Sequence, residues 1–123
     1  MANLRDYTSL RVGGPANKFV EVRTEEQIIA AIEAAGDSPI LVIGGGTNIL
    51  VADAGFDGTV IRISNNSIEA EVDACSGATL TIGAGENWDK FVEATIKRGF
   101  AGLETLSGIP GSVGAAPIQN IGA

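Results

Sequence analysis

The chain has 123 residues, of which 45% are apolar, so it is about one domain by length and can bury a hydrophobic core. Fifteen acidic and eight basic residues give a formal charge of −7 and a pI near 4.4, which argues against nucleic acid and anionic membrane surfaces as partners. The absence of histidine and the single cysteine, Cys75, remove the usual general base, the usual zinc ligand and any internal disulfide.

The sequence lacks a run of the roughly 20 apolar residues that span a membrane, and its N-terminus lacks a signal-peptide pattern. A lone cysteine is consistent with a reducing cytoplasm, and we expect no metal site. Any chemistry must then come from a cofactor or from residues outside this chain.

A β-α-β unit is predicted near the N-terminus. After an irregular segment, residues 18–22 alternate apolar and polar side chains as a strand does. Thr24 and Gln27 have the spacing of a capping box, which predicts a helix that ends at Gly36. Residues 39–43 are all apolar, which is typical of a buried parallel strand.

A strand-rich stretch and a second helix follow. Residues 59–63 predict a strand, and residues 68–74 alternate apolar and acidic side chains, which predicts a strand with one buried and one solvated face. Residues 78–82 predict a further strand. Asn87 then predicts the N-cap of a helix that Gly99 closes.

The last segment, residues 100–123, contains no complete predicted element. It nevertheless carries apolar side chains that we expect to be buried, and it stops without the polar tail expected of a domain end. We therefore expect the chain to be part of a longer protein. The apolar side chains in question are Ile109, Val113, Ile118 and Ile121.

Three glycine-rich turns, at residues 42–48, 82–88 and 108–114, each follow an apolar run. Glycine lets a ligand approach the backbone closely, and consecutive glycines can direct several N–H groups at a phosphate. Three such turns indicate an extended anionic ligand such as a dinucleotide. The alternative is that all three are only tight turns of a strand-rich domain.

Neither of the first two turns fits a standard nucleotide motif. Ile49 and Trp88 stand where the third glycine of a dinucleotide-binding Rossmann fingerprint belongs. A Gly-Lys-Ser/Thr sequence follows neither turn, which excludes a Walker A loop. The pattern therefore disfavours a nicotinamide-type Rossmann domain.

Several individual side chains allow two interpretations. Asn48 is either a donor to phosphate or a left-handed turn residue, and Ser112 allows the same two interpretations. Because no base is present, Ser112 is a poor nucleophile and a better donor to a phosphate or a ring nitrogen. Trp88 could stack on a flat ring, but its apolar helical face favours core packing. Arg11 and Arg62 lie near glycine turns and strand ends, although solvated or ion-paired surface roles are the default for both.

These motifs, in this order, resemble the UDP-N-acetylenolpyruvoylglucosamine reductase (UDP-N-acetylmuramate dehydrogenase) family. The likeness covers essentially the whole chain, and its last two stretches are more specific than any glycine triplet. The matching stretches are residues 7–16 (YTSLRVGGPA), 42–50 (VIGGGTNIL), 83–88 (GAGENW), 102–114 and 117–123 (PIQNIGA).

The resemblance implies an α+β fold, namely the vanillyl-alcohol-oxidase type of FAD-binding domain, which is not a Rossmann fold. It implies two small α+β lobes, residues 1–63 and an incomplete lobe of residues 64–123, without the substrate-binding domain. FAD would be held noncovalently, its pyrophosphate at the first glycine turn and its flavin near the third turn and the C-terminus. The implied cofactor-binding residues are Gly44, Gly45, Gly46, Thr47, Asn48, Ile49, Ile109, Pro110, Gly111, Ser112, Gly114, Ile121, Gly122 and Ala123.

In this family NADPH reduces the flavin, which passes hydride to the enolpyruvyl group of a UDP-sugar during peptidoglycan synthesis. The resemblance implies that the catalytic acid–base residues lie beyond residue 123, so the chain alone is expected to be inactive. Two other functions remain open at this point. One is a different flavin oxidase or dehydrogenase of the same fold, and the other is a non-catalytic nucleotide-binding module.

Overall fold

The computed structural model describes residues 1–119 and 121 of the chain, which form two small β-sheets and two α-helices. The segment predicted as irregular contains a short 3-10 helix, Leu4–Tyr7. The elements that follow are β1 (Ala16–Val22), α1 (Glu25–Ala35), β2 (Ile40–Ile43), β3 (Phe56–Ile63), β4 (Ile68–Asp73), β5 (Gly77–Ile82), α2 (Trp88–Lys97) and a second 3-10 helix (Glu104–Leu106).

The first sheet is parallel, with strand order β1-β3-β2. The predicted β-α-β unit is therefore split, because β3 lies between β1 and β2. As the central strand, β3 contributes Val60 and Ile61, which are at most 1% exposed. The expectation that β2 is fully buried is wrong, since it is an edge strand and its Val42 is 60% exposed while α1 contacts β1 and β3.

Helix α1 begins as its capping box predicts. The Oγ1 of Thr24 accepts a hydrogen bond from the Gln27 N–H at 3.3 Å. The Gln27 side chain accepts one from the N–H of Arg23 at 2.8 Å, one residue before the N-cap. The helix ends at Gly36, whose φ of +55° is readily adopted only without a Cβ. The predicted start and end are both confirmed.

The second sheet is the antiparallel hairpin of β4 and β5. The expectation that one face of β4 is buried is wrong, because Val72 is 69% exposed. Helix α2 lies beside one end of the hairpin, where Ile68 and Leu80 line a common interface with Phe91. The opposite end of the hairpin, with Val72 and Ala78, borders an open cleft of about 450 Å³ that Thr95 and residues 99–101 also line.

Helix α2 begins at its predicted N-cap. The Oδ1 of Asn87 accepts a hydrogen bond from the Lys90 N–H at 3.0 Å, and the helix is followed by Gly99 with φ +78°. Val92 is completely buried on the inner face. Both predicted ends of this helix are confirmed.

Trp88 packs as the apolar helical face predicts. Its indole Nε1–H donates to the carbonyl oxygen of Leu106 at 2.9 Å, and its ring meets Phe91 edge to face with centroids 5.8 Å apart. These contacts tie the second 3-10 helix to the start of α2. The interpretation of Trp88 as a packing residue is therefore favoured over a stacking platform for a ligand.

The C-terminal segment buries less apolar surface than expected. Ile118 is 86% exposed, whereas Ile109, Val113 and Ile121 are partly buried. The segment is instead anchored by Ala116, which is 1% exposed. The division into lobes of residues 1–63 and 64–123 stays a prediction.

Candidate functional site

The first glycine turn follows β2 at the carboxyl end of the parallel sheet. Gly46 has φ +66°, and a Cβ there would overlap the carbonyl oxygen of Tyr7. A Cβ on Gly44 would overlap the hydroxyl of Ser112. Glycine at position 46 is therefore required by both backbone conformation and packing, whereas Gly44 is restricted only by the packing of the Ser112 side chain.

Gly45 is different from its two neighbours. It is exposed, its φ is not positive, and a Cβ on it would meet nothing closer than the Cα of Gly111 at 3.4 Å. The fold therefore does not require glycine at this position. A residue without a side chain here keeps open a concave surface that a methyl group would fill.

The backbone N–H groups of the first and second turns have different partners. Those of residues 45–48 donate to no acceptor in the part of the chain that the structure describes. In the second turn, Gly83 donates to the Ser67 carbonyl at 2.8 Å and Gly85 to the carbonyl of Asn65 at 3.1 Å. The N–H groups of Gly83 and Gly85 in the second turn are thus used within the fold. The four N–H groups of residues 45–48 in the first turn have no acceptor among the described residues and are available to a ligand.

Three clefts meet at Gly45, which lines all of them. The apolar cleft, about 170 Å³, is lined by residues 42–49, Ala115, Ile118 and Gln119. The inner cleft, about 270 Å³, is lined by Gly44, Gly45, Thr47, residues 62–64, Gly85, Asn87, Gly111 and Ser112. The arginine cleft, about 340 Å³, is lined by residues 6–9, Arg11, Gly45 and Arg62.

The third glycine turn is fixed to the start of α2. The Trp88 N–H donates to the Gly111 carbonyl at 2.9 Å, and the Val113 N–H donates to the Glu86 carbonyl at 2.8 Å. Gly111, with φ +104°, lies against the side chain of Thr47. The first and third turns therefore face each other across the inner cleft.

Asp89 holds the beginning of the third turn. Its Oδ1 accepts hydrogen bonds from the Gly108 N–H at 2.7 Å and from the Ser107 hydroxyl at 2.8 Å. The backbone N–H of Gly108, and secondly the hydroxyl of Ser107, hold the pKa of Asp89 below its usual value. The ionised carboxylate is thus part of the turn's structure.

The predicted cofactor-binding residues divide into two sets. Residues 44–49, Gly111 and Ser112 line the clefts. Gly114 lines none of them and packs against Ala84, to whose carbonyl its N–H donates at 2.9 Å. The other predicted residues that line no described cleft are Ile109, Pro110 and Ile121. Gly122 and Ala123, also predicted to bind the cofactor, lie outside the described residues, and the roles of all these residues stay predictions.

Asn48 is not the left-handed turn residue that one interpretation predicts. Among the described residues, only Arg11 is a non-glycine residue with positive φ, at +56°. The side chain of Asn48 is exposed at the rim of the apolar cleft. Its interpretation as a donor remains in keeping with this position.

Arg62 has a better-defined environment than a solvated surface residue. Its guanidinium carbon lies 5.3 Å from the centroid of the Tyr7 ring, and its Nη1 lies 3.9 Å from an oxygen of Glu21. A hydrogen bond from the hydroxyl of Ser64, followed by the charge of Arg62, lowers the pKa of Glu21. Sequence reasoning missed Tyr7 as a cleft residue, because its proximity to Arg62 depends on how the N-terminal segment folds back.

The donors that line the clefts are of the kinds that suit an anion. They are backbone N–H groups, hydroxyls and guanidinium groups. Residues 1–119 and 121 contain no group of three or more His, Cys, Asp or Glu side chains that could hold a metal ion. None of the described helices is long and apolar enough to cross a membrane.

Comparison with known proteins agrees with this geometry. Residues 16–123 match the model of the FAD binding domain family. The chain belongs to this family. Its cofactor class is therefore FAD, as the resemblance in the sequence implies, and the α+β architecture is that of this FAD-binding domain.

The chain is also similar to curated bacterial enzymes over nearly its whole length. It is 48% identical over 122 residues to a UDP-N-acetylenolpyruvoylglucosamine reductase of Cutibacterium acnes, covering 98% of this chain and 32% of that protein. For the same enzyme of Thermobifida fusca the identity is 47%, covering 98% of this chain and 34% of that protein. The chain spans about a third of the length of these relatives. These matches confirm the resemblance to this reductase family.

A solved structure gives the same result. The crystal structure of the UDP-N-acetylenolpyruvylglucosamine reductase of Thermus caldophilus superimposes with a TM-score of 0.70 at 34% identity. The match covers 94% of this chain and 39% of that one. The fold of the described residues is therefore that of a known reductase over the shared part.

Proposed function

We propose that the chain is the FAD-binding part of an NADPH-dependent reductase that converts UDP-N-acetylglucosamine enolpyruvate to UDP-N-acetylmuramate for peptidoglycan synthesis. The observation that carries this proposal is Gly45. The fold does not need glycine at position 45, yet this residue lines three clefts and belongs to a turn whose N–H groups, at residues 45–48, have no acceptor among the described residues. The similarity to curated reductases supports the choice of this reaction.

The clefts fit the parts of FAD. The N–H groups of residues 45–48 suit a diphosphate, which needs several donors converging on a concave backbone. The neighbouring apolar cleft, between residues 42–49 and Ile118, suits a flat ring. We propose that the cofactor is held noncovalently by residues from both predicted lobes. Bound FAD would supply a ring that can accept a hydride from NADPH and deliver it to the enolpyruvyl group.

The residues of this chain bind and orient the cofactor in this proposal, and they carry no proton-transfer step. We propose that the UDP-sugar substrate domain and the acid–base residues belong to further chain of the complete enzyme, as the relatives' greater length supports. A cytoplasmic location is part of the proposal. It is supported by the exposed free thiol of Cys75, which is stable in a reducing compartment.

The test is a titration of the purified chain with FAD, followed by flavin fluorescence, with FMN as the control. We expect saturable binding that prefers FAD, because FMN lacks the diphosphate bridge. In Gly45→Ala, the added methyl group should weaken FAD binding by roughly tenfold or more, since it displaces the diphosphate from its donors. Thermal unfolding of this variant should match the wild type, because the site has room for a Cβ.

Two results would contradict the proposal. One is a folded chain that binds FMN as well as FAD or binds neither. The other is unchanged FAD affinity in Gly45→Ala. A separate assay of NADPH oxidation with the UDP-sugar should give no turnover by this chain alone.

A further inference from the structure

Arg62 lies where the parallel sheet meets the first glycine turn. On the central strand β3, it is paired in register with Glu21 of β1 and with Ile43 of β2. Ile43 is the residue immediately before Gly44. Because all three strands are parallel, Arg62 stands at their common carboxyl edge, where open α/β sheets bind ligands.

The guanidinium group of Arg62 makes a cation–π contact with an aromatic pair. It lies over the ring of Tyr7 at 5.3 Å, and that ring is stacked on Phe19 with centroids 4.3 Å apart and planes 29° apart. The side chain is only 35% exposed. An arginine with such a contact loses less conformational entropy when it binds an anion than a free surface arginine does.

The hydrogen-bond donors of Arg62 are nevertheless unused. Its nearest carboxylate oxygen, on Glu21, is 3.9 Å away, which is too far for a hydrogen bond. Within residues 1–119 and 121, no acceptor takes a hydrogen bond from this guanidinium. Glu21 is instead bonded by Arg23 at 3.1 Å.

Arg62 also lines both the inner cleft and the arginine cleft, which share Gly45. The arginine cleft contains one carboxylate, Asp6, and two guanidinium groups, Arg11 and Arg62. Guanidinium groups therefore outnumber carboxylates among the residues that line this cleft, although the whole chain has a charge of −7 and Glu21 lies 3.9 Å from Arg62. A positive group aimed into a cleft of an acidic protein points to an anionic ligand.

We infer that Arg62 is a diphosphate-binding residue, which donates charge-assisted hydrogen bonds to the phosphate oxygens held at residues 45–48. This inference rests on the proposed function, because it assigns a side chain to the same cofactor site. It makes Arg62 the cation that complements the neutral backbone donors of the turn. It also explains why Tyr7, Phe19 and Arg62 form one stack beside that turn.

The test compares Arg62→Gln with Arg23→Gln. Both arginines pair with Glu21 and both substitutions remove one positive charge, but Arg23 is 70% exposed and lines none of the three clefts. We expect Arg62→Gln to weaken FAD binding by roughly tenfold, as loss of a charge-assisted hydrogen bond does. Arg23→Gln should change it by less than about twofold. The affinity should also depend less on salt in Arg62→Gln than in the wild type.

The variant Glu21→Gln distinguishes an electrostatic role of Arg62 from a purely structural one. If Arg62 acts through its charge, removal of the adjacent carboxylate should leave FAD affinity unchanged or raise it. If Arg62 is only a packing residue tethered by Glu21, affinity should fall, which would overturn the inference. Equal affinities of Arg62→Gln and Arg23→Gln would overturn it as well.

Inorganic pyrophosphate serves as the second probe and needs no variant. In the wild-type chain, the NMR signal of the Arg62 Nε–H should move on titration with pyrophosphate together with the amides of residues 45–48. Movement of the amides alone would refute the role of Arg62 even if Arg62→Gln fails to fold. Binding of pyrophosphate without binding of FAD would refute the proposed cofactor and leave the role of Arg62 supported, whereas a chain that binds neither would refute both.

Discussion

The two halves of the described structure differ in how their buried apolar side chains are grouped. In the N-terminal half, residues 1–63, buried side chains form two hydrophobic clusters, one around Leu4 and Val60 and the other around Val22 and Ile61. In the half that follows, Phe91 and Val92 are also buried but belong to neither cluster. The first glycine turn thus belongs to the half that contains both clusters. A ligand site benefits from such support, because its donors must keep their geometry when no ligand is bound.

Two glycines with positive φ, one from each half, have different surroundings. Gly46, in the first half, has both a positive φ and a backbone oxygen where its Cβ would lie. Gly77, in the hairpin turn, has φ +89° and nothing within 4 Å of a Cβ position. Backbone conformation and packing both require glycine at position 46, whereas only backbone conformation requires it at position 77.

The largest effect that we predict comes from Gly46→Ala. The backbone of the 3-10 segment at Tyr7 must move, so we expect a loss of about 3 kcal/mol or more in the free energy of unfolding. The matched variant Gly77→Ala should lose about 1 kcal/mol, the cost of a left-handed alanine. Urea unfolding of both variants measures the difference. Equal losses would show that the first turn is not held by the contact with Tyr7.

The next largest effect compares a buried valine of the parallel sheet with an exposed valine of the hairpin. Val60→Ala removes two methyl groups from a site with no exposed surface, and we expect a loss of about 2 kcal/mol. Val72→Ala, at a strand position that is 69% exposed, should change stability by less than about 0.5 kcal/mol. The same urea titration tests both. A loss in Val72→Ala as large as that in Val60→Ala would mean that the hairpin face is covered in solution, for example by self-association.

The smallest effect concerns pH and the third turn. Because the folded-state pKa of Asp89 is lowered by Gly108 and Ser107, its stabilising contribution is present above the unfolded pKa and is lost as pH falls through the folded value. Asp89→Asn should therefore have a lower Tm than the wild type at pH 7, with a difference that shrinks below about pH 3.8. Thermal unfolding from pH 7 to pH 3 tests this, with Glu69→Gln on an exposed strand position as the control. A difference that is constant with pH would contradict the role of the Asp89 charge.

The sequence predicted those features that depend on neighbouring residues. Thr24 and Asn87 cap their helices as expected, because an N-cap hydrogen bond reaches only three residues along the chain. Gly36 and Gly99 follow the helices for an equally local reason, their positive φ. The first glycine turn could likewise be identified from its composition.

Features that depend on distant contacts could not be predicted. The position of β3 between β1 and β2 depends on long-range pairing, so the exposure of Val42 on the edge strand was not foreseen. The difference between Gly45 and its neighbours requires knowledge of what Tyr7 and Ser112 occupy. The stacking of Arg62 likewise depends on where the N-terminal segment lies.

The proposed function depends on binding of the FAD diphosphate by the N–H groups of residues 45–48. The most direct measurement is a series of amide-resolved NMR spectra of the ¹⁵N-labelled chain during titration with FAD. We expect the largest chemical-shift changes at the amides of residues 45–48, while those of Gly83 and Gly85, already hydrogen-bonded within the fold, should change little. Saturable FAD binding that leaves the amide signals of residues 45–48 unmoved would rule out this turn as the diphosphate site.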